Sequence, residues 1–256
     1  TLNLTPKQVY DIAKLGTSSG DAAATFALAD HNKDGVIDLK TEMTFGPAYY
    51  AAGFDASVYD TGNATSYLHT ITRAFYDGRA LITSAKGEKL TDAQRAELRG
   101  YASVISENWQ RVLAEATFKY AGSVYKDLAK LKIIIESNGD TSKALSNYIK
   151  HWGELKGFAL ALQTGKDNLG ETATKLNRLI GFGPLMPNQS QVVDIDSSGN
   201  YVRDQGISWG EYMLHMAKAQ QLMVDAFDVK AKNGAISGSV AALTEALGES
   251  KSAEND

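Results

Sequence analysis

Apolar residues recur at three- and four-residue steps along most of this chain. No series of alternating β-branched strands bounded by turns interrupts them, so the pattern predicts an all-α fold. A first helix is expected from about Thr5 to Leu15, with Thr5 as N-cap and Pro6 at the first helical position, where a missing N–H costs nothing. A second should start near Gly20. The run MTFGPAYYAAGF at 43–54 is apolar and aromatic but punctuated by Gly46 and Pro47, and reads as a short helix or a buried turn. A helix around Ala64 to Leu81 and a polar connection at Ser84 to Lys89 follow. From Thr91, an expected N-cap, helical spacing persists for some forty residues, as one helix or as two joined near Gly100 or Gly122. SNGDTS at 137–142 is a loop, and Thr141 or Ser142 opens a helix to about Leu162. Further helices should cover Gly170 to Ile180, ended by GFGPLMPN, and Ser208 to Lys230.

Long helices with short polar connections predict an antiparallel bundle. We read a single domain over residues 1–247, in two halves of about 1–135 and 136–247. The tail at 248–256 is too polar to bury and is expected to be disordered.

Composition narrows the function. At 256 residues and 43% hydrophobic content the chain can bury a proper core. A net charge of −4, with Lys and Arg scattered among acids, gives no basic stripe for a phosphate backbone and argues against nucleic acid. No apolar run reaches the roughly 20 residues of a membrane span, and the first residues lack the basic-then-apolar pattern of a signal. The absence of cysteine excludes disulfides, thiolate nucleophiles and Cys-based zinc or iron–sulfur sites.

Candidate chemistry begins at DHNKDGVID, residues 30–38, which has the spacing of an EF-hand calcium loop. Calcium takes six to eight oxygen ligands, and alternate side chains of a tightly wound loop converge on one point. Asp30, Asn32 and Asp34 would be the first three ligands, Gly35 the sharp turn, Val36 a carbonyl ligand, and Asp38 a ligand directly or through water. Ile37 would anchor the loop. The twelfth position is Thr41, and Glu42 lies one residue later. Either local distortion brings Glu42 to the ion, or the site is weak, or the segment is an Asx-rich turn capping the next helix. A weak calcium loop suits the millimolar calcium outside cells, which points to periplasm or cell surface.

A second acidic stretch, DIDSSGNYVRDQGISWGE at 194–211, reads as an expanded EF-hand-like loop. Asp194, Asp196, Ser198 and Asn200 would supply the entering oxygens and Glu211 the closing carboxylate. The competing reading makes Ser208 an N-cap and Glu211 the third residue of a capping box.

Of the four histidines, His31, His69 and His215 have structural readings. His151 is followed by Glu154 in HWGELKG, and residues three apart on a helix share a face, so an imidazole and a carboxylate could meet one ion, iron or zinc. A plain His–Glu hydrogen bond fits the spacing equally. Glu107, Glu115 and Glu136 could join His151, but charges at this frequency are also what a solvated helix face requires.

YIKHWGELKGFALALQ at 148–163, with TRAFYDGRALI at 72–82, WQRVLAEATFKY at 109–120 and EYMLHMAKAQQLMVDAF in the final helix, resembles the helical imelysin-like proteins. It is most similar to a related bacterial domain family of unknown function with an H-x-x-E-x-x-G helix in each bundle half. The resemblance spans about residues 20 to 230. It implies an exported or lipid-anchored protein, a role in iron or other metal uptake, His151 and Glu154 as metal ligands, and Gly157 as a close-packing position. The first half departs from the pattern: Glu42 and Gly46 stand in KTEMTFG, but Leu39 occupies the expected histidine position. A symmetric two-histidine centre is therefore not implied, and calcium would fix the half without the histidine.

The sequence thus predicts a non-catalytic metal-binding protein. One alternative is a calcium-stabilised surface module for a peptide, glycan or protein partner, with Tyr49, Tyr50, Phe54, Tyr59 and Tyr67 lining a groove or, more simply, packing a bundle end. The other is a metallopeptidase-like enzyme, for which there is no H-E-x-x-H, no G-x-S-x-G and no P-loop.

Overall fold

The computed structural model describes residues 33, 46–59, 64–165, 169–205 and 207–247. Within them the chain is mostly helical, with helices α1 (Gly46–Ser57), α2 (Tyr67–Ser84), α3 (Asp92–Glu136), α4 (Ser142–Gln163) and α5 (Glu171–Ile180), strands β1 (Ser190–Ile195) and β2 (Tyr201–Gln205), then α6 (Trp209–Phe227) and α7 (Val240–Leu247). The first two expected helices and the polar tail lie outside the described residues. Two compact units divide between Val112 and Leu113.

In the first unit, the GPAYYAAGF part of MTFGPAYYAAGF lies in α1, whose Ala51, Ala52 and Phe54 are buried. Asp55 is buried as well, because its carboxylate does the work of an N-cap for α2. It accepts from the Thr65 hydroxyl (2.7 Å) and from the backbone N–H of Tyr67 (2.9 Å) and Leu68 (3.0 Å), amides that no preceding turn can satisfy. Burial nonetheless pushes its carboxyl up from the ordinary value, against those hydrogen bonds. Tyr67, Ile71, Ala74 and Gly78 form the buried stripe of α2. Gly78 lets the helix come close, since a Cβ there would sit 3.3 Å from Leu98 Cδ1.

Thr91 starts α3 as the sequence predicts. Its hydroxyl accepts from Gln94 N–H (3.2 Å) while Gln94 Oε1 accepts from Thr91 N–H (2.9 Å), a reciprocal capping box. The helix then runs unbroken through both Gly100 and Gly122.

In the second unit, α3 from Leu113 onward and α4 lie antiparallel. Asp127 meets His151, and one heptad away Tyr120 stacks on Phe158 with ring centroids 5.6 Å apart. Leu128, Leu131, Tyr148, Leu155, Leu162, Leu176, Ile180, Leu185, Tyr212 and Leu214 form the core. The α4 start is held by Asp140, whose Oδ1 accepts from Ser142 N–H (2.9 Å) and hydroxyl (2.6 Å); Thr141 contributes no side-chain cap. Ser208 caps α6 by accepting from Glu211 N–H (3.0 Å), and Asp228, in the left-handed region, ends that helix three residues before the expected Lys230 boundary is passed.

The all-α expectation needs one correction. Ser190–Ile195 and Tyr201–Gln205 form an antiparallel hairpin, with Val192 opposite Arg203, Asp194 opposite Val202, Ile195 opposite Tyr201, and a bulge between Val192 and Asp194. The bulge destroys the strict alternation by which a strand is recognised, and all of β2 is exposed, so no apolar face marks it. The base of β1 rests on the turn after α5, where the Gln191 side-chain amide donates to Gly183 O (2.6 Å).

After α6 the chain forms a strap, residues 228–239, leading into α7. Glu115, fully buried, accepts from the backbone N–H of Lys230 (2.7 Å), Ala231 (2.7 Å) and Lys232 (3.1 Å). Gln220 donates to Phe118 O (2.8 Å) and Gly234 O (3.2 Å) and accepts from Ile236 N–H (3.0 Å). Gly122 permits this closeness, for a Cβ there would fall 1.9 Å from Gly234 O. Glu115 is therefore no solvated-face charge, in contrast to Glu107 and Glu136, which are exposed.

Candidate functional site

His151 projects from α4 towards α3, where Asp127 Oδ2 lies 2.6 Å from its Nδ1. Both side chains are partly exposed, at 31% and 17%. With Nδ1–H donating to the carboxylate, the neutral ring turns the Nε2 lone pair outward; a protonated ring would make the contact an ion pair. A carboxylate behind a histidine is the arrangement that fixes the ring and raises its basicity as a metal ligand. The ring is also placed by Tyr120, whose centroid is 6.0 Å away and whose face is stacked on Phe158. Next along α4, Trp152 Nε1–H donates to the Tyr212 hydroxyl (2.8 Å), which itself donates to Ile180 O (2.7 Å). Burial pushes the Tyr212 phenol up, so it stays protonated and keeps that donor role. These bonds lock α4 against α6 and the end of α5 directly behind His151.

His151's hydrogen-bond partner is thus Asp127 rather than Glu154. Glu154 lies one turn along α4, half-buried, at the level of the fully buried Val124 of α3. Gly157 does not fill the close-packing role that the resemblance implies: it is exposed, and a Cβ there would meet nothing within 4 Å. Among the described residues no three His, Asp or Glu side chains gather as a metal cluster. One imidazole nitrogen with one carboxylate a turn away falls short of the four ligands of a closed structural zinc site and of the three protein ligands of an open one.

The second acidic stretch is arranged differently from the loop expected of it. Asp194 belongs to β1, and its Oδ1 accepts from Ile195 N–H (2.8 Å). Asp196 opens the hairpin turn: Oδ1 accepts from the N–H of Ser198 (2.9 Å) and Asn200 (2.8 Å), and Oδ2 from Asn200 Nδ2 (3.1 Å). Those bonds, Asn200's foremost, hold its carboxyl below the usual range. Strand β2 then carries the chain five residues, about 17 Å, away from the tip. Glu211 stands beyond it in the first turn of α6, so Asp194, Asp196, Ser198 and Asn200 belong to a hairpin tip rather than to an expanded loop closed by Glu211.

In the first acidic stretch, Asp30, Asn32, Asp34, Val36, Asp38 and Glu42 lie outside the described residues. Lys33, between the second and third of them, is described; it is exposed with φ 60°, in the left-handed region. Of the five aromatic residues proposed for a groove, Phe54 and Tyr67 are core residues, Tyr49 and Tyr50 pack edge to face at 5.5 Å, and Tyr59 is exposed. No helix of the described residues is long and apolar enough to cross a membrane.

Asp127 went unnoticed in the sequence, and only its seven-residue offset from Tyr120 on one face of α3 could have signalled it. Comparison of the chain with protein-family models, with curated proteins and with solved structures finds no match.

Proposed function

We propose that this chain is a non-catalytic, exported, imelysin-like metal-binding protein, with calcium resident in the loop of Asp30, Asn32, Asp34, Val36, Asp38 and Glu42, and His151 offering an exchangeable site for iron or zinc. The observation that carries the second half of this reading is the 2.6 Å contact of Asp127 with His151 Nδ1. It spends one ring nitrogen on orientation and leaves the other for a ligand. A site with few protein donors releases its ion as readily as it takes it, which suits uptake and transfer better than storage or structural use. For the calcium loop, support comes from the alternation of oxygen-bearing side chains ahead of Gly35, and from the positive φ of Lys33.

Elemental analysis of protein purified without chelator tests both halves, repeated for Asp34→Ala, His151→Ala and Asp127→Asn. Calcium at one equivalent in all but Asp34→Ala is expected. Iron or zinc, added as the sulfate and measured by equilibrium dialysis, should bind the parent weakly, Asp127→Asn some ten- to hundred-fold more weakly still, as for a lost orienting carboxylate, roughly, and His151→Ala not at all. Unchanged calcium in Asp34→Ala refutes the loop assignment, and equal metal binding by parent and His151→Ala refutes the histidine site.

A further inference from the structure

Among the described residues, the hairpin of the second unit holds no fully buried side chain. Every residue of β2 is exposed, as is the β1 half from Val193 to Ile195, and Val193, Ile195, Tyr201 and Val202 all present apolar surface to solvent. A lone two-stranded ribbon is marginal in water, and a strand with no outer neighbour offers a row of unpaired N–H and C=O groups.

Which groups face outward follows from the ladder. Asp196 N–H donates to Asn200 O (2.9 Å), so Asn200 points its backbone inward to β1. Alternation then sends the N–H and C=O of Tyr201, Arg203 and Gln205 outward and those of Val202 and Asp204 inward. A second antiparallel strand must set outward residues against outward residues. If that strand is β2 of a second copy, related by a two-fold axis normal to the sheet, one residue must also lie on the axis facing itself.

Five registers, one centred on each residue of β2, meet both conditions. Asp204 on the axis would set two carboxylates directly opposite, Gln205 on the axis overlaps the strands by a single residue, and the side chains choose among the other three. Centring on Arg203 puts two guanidinium groups directly opposite, which is destabilising. Centring on Tyr201 pairs β2 largely with the turn of the other copy. Centring on Val202 sets Val202 against Val202, Tyr201 against Arg203 in both directions, and Asp204 against Asn200. Each Tyr201 ring then takes a cation of the other copy on its face, no like charges meet, and the apolar pair Ile195 and Tyr201 of each ribbon extends into a four-stranded face.

We propose that β2 is a self-association edge, by which two copies of this chain join antiparallel strands across a two-fold axis at Val202. The four new backbone hydrogen bonds run between Tyr201 of one copy and Arg203 of the other. The contact is small, so the dimer is concentration-dependent rather than obligate.

The natural absence of cysteine makes a decisive test simple. In the proposed register Val202 forms a non-hydrogen-bonded pair with its own copy, with Cα atoms about 4.5 Å apart, within the range of about 4.4–6.8 Å that a disulfide spans. Val202→Cys, oxidised with dilute copper-phenanthroline, should be captured as a disulfide dimer at least ten-fold faster than Asp204→Cys, which faces Asn200. Sedimentation velocity over a hundred-fold concentration range should show the parent shifting from monomer to dimer. Arg203→Pro removes an outward N–H without touching the β1 ladder, and should remain monomeric with an unchanged far-UV circular dichroism spectrum. A parent that stays monomeric throughout, or equal cross-linking of the two cysteine variants, overturns the proposal. Either outcome leaves the metal reading unaffected, because no metal ligand takes part.

Discussion

Replacing Glu115 by alanine should nearly unfold the second unit's C-terminal strap, and the size of the effect can be worked from its contacts. The carboxylate is fully buried and accepts three backbone amides, those of Lys230, Ala231 and Lys232, at 2.7, 2.7 and 3.1 Å. Hydrogen bonds to a charged group contribute about 1.5–3 kcal/mol each, so simple addition gives an upper bound near 4.5–9 kcal/mol. The strap is only part-buried, and released amides regain water, which brings the expected loss to about 4 kcal/mol. That is a large fraction of the total stability of an ordinary domain, about 5–15 kcal/mol. Glu115→Gln should lose about 2 kcal/mol, since its carbonyl can keep Lys230 and Ala231 while its NH₂ meets the Lys232 N–H donor to donor. Urea unfolding followed by circular dichroism gives these values from the midpoint at unchanged slope. Amide exchange at Lys230 to Lys232 should accelerate in both variants. A loss below about 1 kcal/mol for Glu115→Ala would mean that the carboxylate barely repays its own desolvation, and would refute the account of the strap.

Two further perturbations have clear signs. Tyr212→Phe deletes the acceptor of Trp152 Nε1–H and the donor to Ile180 O; leaving those groups unpaired should cost about 2–3 kcal/mol in urea unfolding, and native Trp fluorescence should change with the indole's environment. Asp196 is held below its ordinary value of 3.8. A depressed carboxyl contributes stability that is present above that ordinary value and is lost as pH falls through the folded one. The Asp196 carboxyl carbon, followed by NMR, should therefore titrate below 3.8 in the parent and move up in Asn200→Ala; a parent midpoint at or above 3.8 would sink this assignment.

Local signals in the sequence account for much of the helical frame. Thr91 with Gln94, and Ser208 with Glu211, act within four residues, so their capping roles are readable from spacing. Long-range pairings were not readable. Asp127 reaches His151 across 24 positions and Glu115 reaches the strap across more than a hundred, through helix registers that packing decides. Glu115 looks like its exposed neighbours Glu107 and Glu136 in sequence, and the difference lies in the distant strap whose amides meet its carboxylate. Capping by Asp55 was hidden for the same reason, since it serves α2 from the preceding helix. The hairpin was lost because a bulge and full exposure erase alternation. Its DIDSSGN tip mimics a calcium loop because a hairpin turn and a cation both select carboxylates that curl back on themselves, and Asp196 turns its oxygens on backbone amides.

The rung that joins Asp127 to His151 also constrains how this chain can diverge. Neither position is defined by its own helix; each is defined by the residue opposite, with the Tyr120 and Phe158 stack one heptad away keeping the two helices in phase. Drift at one position alone leaves a half-buried ring or carboxylate facing an indifferent neighbour. The two sites should therefore be inherited as a unit: lost together, exchanged together, or kept together. In descendants of this chain, paired change at 127 and 151 would be the mark of the rung, while Glu154, outside it, varies on its own.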